Sequence, residues 1–144
     1  MPIDVVTSIE IGRSREETAG YASDPDHVRE WYQNITAVEW VTSPPVRVGS
    51  RIAFVASFLG RRLAYTYEVT ELVPGRRLVM RTSHGAFPMQ TTYRWEDTPG
   101  GTLMTLRNTG EPTGFARVGG PALAAAMRRA NRKDLDRLKH LLEA

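Results

Sequence analysis

FARVGGPALAAAMRRANRKDLDRLKHLLE, residues 115–143, reads as one long helix, and no other stretch of the chain supports one. Ala124, Met127, Asn131, Leu135, Leu138 and Leu142 recur at spacings of three and four, which places them on one stripe of a 3.6-residue helix. Arg128, Arg129, Arg132, Lys133 and Arg137 fall mostly off that stripe. Gly110 to Gly120 is rich in Gly and Pro and reads as a loop running into the helix, which firms up after Pro121. The full stretch would be roughly 40 Å long at 1.5 Å per residue. That exceeds a typical strand, so one end is expected to project beyond a sheet. A lone helix after a run of strands must lay its apolar stripe on them. A small curved sheet cannot close fully around a straight rod, so the pairing predicts a cavity.

The strands precede it. Ile3, Val5, Thr7, Ile9 and Ile11 alternate with Asp4, Val6, Ser8 and Glu10, the period of a half-buried strand. Ser14 and Glu17 form a capping box for a short helix to about Tyr21. Asp24-Pro25 starts a second, with Val28, Trp31 and Tyr32 on one face. Strands follow over Ile35 to Thr42, Arg51 to Phe58, Leu63 to Thr70, Leu78 to Thr82, Met89 to Glu96 and Thr102 to Arg107. Leu59-Gly60-Arg61 is a tight turn, and Val73-Pro74-Gly75-Arg76 has the Pro and Gly placement of a type II turn. Seven strands joined mostly by short turns predict a largely antiparallel sheet. The fold class is therefore α+β: a seven-stranded curved antiparallel sheet, two short helices after the first strand, and a long C-terminal helix. One domain over residues 1–144 is expected from the length.

Composition narrows the function classes. There is no cysteine, which excludes disulfides, thiolate metal sites and cysteine nucleophiles. No stretch approaches the roughly 18 apolar residues of a membrane span. Met1 to Asp4 carry no basic or apolar leader pattern, so a cytoplasmic location is expected. Net charge is +3, and residues 115–144 hold seven basic against three acidic groups, more than the whole surplus. The acidic residues are interspersed and no aromatics interleave to stack bases, so the basic face reads as solvated surface and no nucleic-acid partner is expected. A homodimer is compatible with the sequence.

The order of elements is that of the START-like, Bet v 1-like helix-grip fold, and the local sequence resembles its polyketide cyclase/dehydrase branch, the bacterial SRPBCC proteins. The matching pieces are Asp24-Pro25 with Trp31, Val48-Gly49-Ser50-Arg51, and Tyr67-Glu68-Val69-Thr70-Glu71-Leu72 before Pro74. They continue with Tyr93-Arg94-Trp95-Glu96, Gly101-Thr102 and Leu135 to Leu142, so the resemblance spans essentially the whole chain. These pieces are turns, caps and core positions, and include no catalytic set. The resemblance implies a hydrophobic cavity between sheet and C-terminal helix. Members bind lipids, sterols, plant hormones or aromatic polyketides; some catalyse cyclisation or dehydration, and others are partners of quinone, ribosomes or chaperones. The fold does not choose among these.

The lining expected of such a cavity is the inward set Phe54, Phe58, Tyr65, Tyr67, Met80, Met89, Tyr93, Trp95 and Met104, with Met127 and Asn131 from the helix. An amide on an apolar stripe needs a partner: a ligand oxygen, a strand side chain or a buried water. The tyrosine hydroxyls would orient a polar ligand group or steady an enolate. His84, in Thr82-Ser83-His84-Gly85 at a strand end, is the candidate catalytic residue, a proton carrier for enolisation or dehydration; otherwise it is a surface turn residue. His27, His84 and His140 show no ligand spacing, so no metal is expected, and no cofactor fingerprint is present. The favoured function is binding of a hydrophobic or aromatic small molecule. The alternatives are a cyclase or dehydratase using a cavity His or Tyr, and an interaction module using the basic helix face.

Overall fold

The computed structural model describes residues 3–84, 88–111 and 120–144. Strand β1 spans Ile3–Ile11, followed by helix α1 (Arg15–Ala22), a 3-10 turn (Pro25–His27) and the single-turn helix α2 (Val28–Trp31). Then come β2 (Ile35–Trp40), β3 (Arg51–Phe58), β4 (Arg61–Val73), β5 (Arg77–His84), β6 (Met89–Thr98), β7 (Gly101–Gly110) and the long helix α3 (Gly120–Glu143). The predicted helix start at Phe115 and most of the Gly110–Gly120 loop lie outside the described residues.

The seven strands form one antiparallel sheet in the order β1-β7-β6-β5-β4-β3-β2. Its curl follows from chemistry that interrupts the ladder. The register shifts in β2 at Ile35/Ala37 and twice between β4 and β5, at Thr66/Tyr67 and Val69/Glu71. Such bulges add local twist and bend a strand. The helix caps form where the sequence places them. Glu17 N–H donates to Ser14 Oγ at 3.1 Å, and Asp26 N–H donates to Asp24 Oδ1 at 2.9 Å. Arg76 N–H closes on Val73 O at 2.9 Å, with Gly75 at φ 76° in the position a type II turn reserves for glycine.

Helix α3 lies along β1 and touches α2. Its two halves bury different things. Leu135 and Leu138 join the main core with Trp31, Trp95, Met104 and Leu106, whereas Leu123 and Met127 form a smaller cluster with Ile3 and Val5. At 24 residues the helix is about 36 Å long.

One turn departs from local preference. The β3–β4 hairpin has a two-residue loop, Leu59-Gly60, with both residues at positive φ (51° and 75°). That is the type I′ arrangement, which Asn-Gly satisfies and leucine does not. A left-handed leucine carries a penalty of about 1–2 kcal/mol, and Leu59 is 58 % exposed, so little packing offsets it. Leu59→Asn is expected to raise the unfolding free energy by about 1 kcal/mol, seen as a higher urea midpoint; an unchanged midpoint would mean the loop stores no strain.

Candidate functional site

A cavity of about 160 Å³ lies between the sheet and the first two-thirds of α3. Its sheet wall comes from the inward positions of five strands: Phe54 and Phe58 of β3, Tyr65 and Tyr67 of β4, Met80 of β5, Met89, Thr91 and Tyr93 of β6, and Asn108 of β7. The helix wall is Leu123, Met127, Ala130, Asn131 and Asp134, and the α1–α2 corner adds Pro25, Val28 and Tyr32. Three of the rings form one aromatic surface, with centroid separations of 5.5 Å for Phe54–Tyr65, 5.8 Å for Phe54–Tyr67 and 5.1 Å for Tyr65–Tyr67.

Several of the polar groups are joined to one another. Asn131 Nδ2 donates to Asn108 Oδ1 at 2.6 Å, and Asn108 Nδ2 donates to Thr91 Oγ1 at 2.8 Å. Thr91 Oγ1 in turn shares a hydrogen with Tyr67 Oη at 2.8 Å. The partner of the helix amide is thus a strand side chain. A second pair, Tyr32 Oη and Tyr93 Oη, stands at 2.8 Å. Burial pushes the phenols of Tyr32, Tyr65 and Tyr93 well above the ordinary range and that of Tyr67 up to about 12, so all four are neutral hydroxyls at physiological pH.

Asp134 is the charged group of this wall. It is 2 % exposed, and Gln33 N–H donates to its Oδ1 at 3.2 Å. Burial pushes its carboxyl up from 3.8 to about 6, with the Gln33 hydrogen bond pulling the other way. A wider groove of about 270 Å³ adjoins the cavity. Asn34, Phe58, Ala130 and Asp134 border both spaces, and Arg129 and Lys133 rim only the groove.

Nine of the eleven side chains expected to line the cavity do so: Phe54, Phe58, Tyr65, Tyr67, Met80, Met89, Tyr93, Met127 and Asn131. Trp95 and Met104 do not, and the expectation for them is corrected. They pair across β6–β7 and are 2 % and 0 % exposed, sealed in the main core with Leu135 and Leu138. They share the inward face, but they stand at the closed end of their strands. His84 is also displaced. Thr66 pairs with His84 and Tyr67 with Thr82, so Ser83 is an extra residue in β5. Tyr67 faces inward, and its neighbour Thr66 and the opposed His84 therefore face outward. A bulge reverses the parity that alternation predicts, and His84 is exposed and outside the cavity lining. Among the described residues no group of three His, Asp or Glu side chains is placed to hold a metal ion, and no described helix is long and apolar enough to cross a membrane.

Sequence reasoning missed Asp134, Asn108 and Tyr32 as wall residues. Asp134 is three residues after Asn131 and seven after Met127, in the middle of the apolar stripe, a signal its charge obscured. Asn108 follows Leu106 and Met104 at period two, one step beyond the predicted end of its strand.

The profile of one protein family, described as polyketide cyclase / dehydrase and lipid transport, matches residues 2–143. The chain belongs to that family. No curated protein matches it in sequence. Among solved structures, a protein from Thermus thermophilus is similar with a TM-score of 0.83 at 19 % identity, over 95 % of this chain and 94 % of that one. A START superfamily protein from Mycobacterium smegmatis has a TM-score of 0.83 at 15 % identity, over 97 % of each chain. Ginseng major latex-like protein 151 from Panax ginseng has a TM-score of 0.78 at 14 % identity, over 99 % and 98 %. At these identities the likeness establishes the helix-grip fold of the family member, the START and Bet v 1-like architecture expected from the sequence.

Two outcomes follow from the polar wall. Asn131→Ala strips Asn108 Oδ1 of its donor in a buried place, so the unfolding free energy is expected to drop by about 1–3 kcal/mol, measured in urea. For Asp134 the sign is set by its raised value. The folded state holds the proton more tightly than the unfolded one, so this group's contribution to stability is greatest below about pH 4 and is lost as pH rises through about 6. Relative to Asp134→Asn, the native protein is expected to lose on the order of 2–3 kcal/mol across that window. Parallel urea curves at pH 4 and pH 8 check this; an equal gap between the two proteins at both pH values would contradict it.

Proposed function

We propose that this protein binds a small hydrophobic or aromatic molecule in the cavity between the sheet and the first two-thirds of α3. The observation that carries this reading is a largely apolar, aromatic-walled cavity with placed polar groups on β4, β6, β7, α3 and the segment after α2. Ligand sites have this composition: apolar walls with a small number of placed polar groups. The volume bounds the ligand. An apolar cavity of about 150 Å³ takes a benzene molecule, and the present one, at about 160 Å³, fits a single substituted ring or a short branched chain. A sterol or multi-ring polyketide exceeds that volume and would have to extend into the adjoining groove or displace α3. A cyclase or dehydratase activity in this cavity would draw on its tyrosine hydroxyls, since His84 faces the other side of the sheet.

Tryptophan emission gives a direct readout. Tyr93 lines the cavity, and its ring stands 5.8 Å from Trp31 and 6.0 Å from Trp95. Titration with toluene is expected to shift the emission with saturation. Ala56→Phe fills the cavity from β3 and is expected to weaken binding by about tenfold or more, while the melting temperature holds or rises. Absence of saturation with any single-ring probe, checked by chemical-shift perturbation, would remove the reading.

A further inference from the structure

Among the described residues, the cavity wall contains one carboxylate and no counter-charge. Asp134 Oδ1 accepts one hydrogen bond, from Gln33 N–H, and among the described residues no group donates to Oδ2, which is not fully buried and so still faces open space. The described lining includes no Lys, Arg or His. An ionised carboxylate taken out of water without a cation or donors is costly, so such groups are met by a partner or stay protonated. The groups packed around Asp134 are Tyr32 and Gln33 from the segment after α2, with Tyr93 of β6 and Tyr65 of β4 close enough to feel its charge or one another's. On its own helix Lys133 turns to the outer groove, and Arg137 Nε is engaged with Glu30 O at 2.6 Å. The tyrosines are neutral hydroxyls, and one proton of the Tyr32–Tyr93 pair is used between them. None of these neighbours neutralises Asp134.

We infer that Asp134 is the recognition group of the cavity, selecting ring-sized ligands that present an N–H or O–H donor to its free oxygen and rejecting ligands that carry a carboxylate. This deepens the proposed function and rests on it. Its place explains the selectivity. Asp134 stands where the cavity meets the outer groove, so a ligand whose ring fills the aromatic pocket has its substituent at this carboxylate. A donor there supplies the missing hydrogen bond, and an ammonium supplies charge as well. A carboxylate would meet a like charge in a low-dielectric setting. Arg129 and Lys133 lie on the groove side, where water screens them. Acidification converts the group from acceptor to donor, because burial holds its proton to about pH 6, and the preference should then weaken.

The test uses one ring with four substituents: toluene, benzyl alcohol, benzylamine and benzoate, each titrated by chemical-shift perturbation into the full chain and its Asp134→Asn variant. Asparagine keeps an oxygen for Gln33 N–H. At pH 8 the native protein is expected to bind benzylamine and benzyl alcohol more tightly than toluene, and benzoate about tenfold or more weaker than toluene. In Asp134→Asn the benzylamine advantage disappears and the benzoate penalty shrinks to the cost of desolvating its carboxylate. Native protein at pH 5 should move the same way, which keeps the inference decidable if the variant does not fold. Benzoate binding as well as benzylamine at pH 8, or an unchanged ranking in Asp134→Asn, overturns the inference while toluene binding leaves the cavity reading standing. Failure of toluene and every other probe to bind either protein overturns both.

Discussion

The packing of α3 across a curled sheet is the constraint on which the rest depends. A straight helix and a curved surface cannot stay in contact along their whole length. Here the C-terminal half of α3 closes the gap with Leu135 and Leu138 against Trp95 and Met104, and this is the sealed core. At the N-terminal end Leu123 and Met127 reach the start of β1. Between sheet and helix the wall is left to aromatic rings, and the space that remains is the cavity. Large side chains set its extent: two leucines and a tryptophan close one end, and Phe58 and Met89 flank the other.

The polar residues follow the same geometry. Asn131 and Asp134 sit one turn apart where α3 leaves the sealed core, each too buried to be left to solvent. Asn131 is satisfied by a relay through Asn108 and Thr91 to Tyr67, which ties α3 to three strands and orients the hydroxyl of the aromatic wall. Asp134 has only a backbone N–H. The contrast between a completed network and an incomplete one, one helical turn apart, separates a group that holds the structure together from one with bonding capacity to spare.

Family and fold are settled by different observations from function. The profile match covers nearly the whole chain, and structures from bacteria and a plant share its architecture at 14–19 % identity. Over such distances the turns, caps and core positions persist because they specify a backbone. The cavity wall specifies a ligand, and a shared backbone carries no information about it. Substrate chemistry has to be argued from volume, from the rings, and from the donors and acceptors this chain places there.

Alternation and spacing were enough to read the seven strands, their antiparallel joining, the caps at Ser14 and Asp24, the turn at Gly75 and the long helix. Each of these is a local preference expressed within a few residues. The same periodicity assigned most of the inward face, including Phe54, Tyr65, Tyr67, Tyr93 and Met127. It did not reveal position along a strand, so Trp95 and Met104 shared the pattern of cavity residues while lying in the sealed core. Nor did it reveal the extra residue at Ser83, which turns His84 to the outside; pairing register is a property of two strands, and one strand's sequence does not contain it. Asp134 is the sharpest case. Its spacing puts it on the apolar stripe, but a charge on a helix is ordinarily solvated, and only the segment after α2, with Tyr32 and Gln33, and the facing Tyr93 of β6 make it buried. Elements and their apolar faces are thus written in the order of residues along the chain. Where sheet and helix part is not, because that depends on curvature summed over all seven strands.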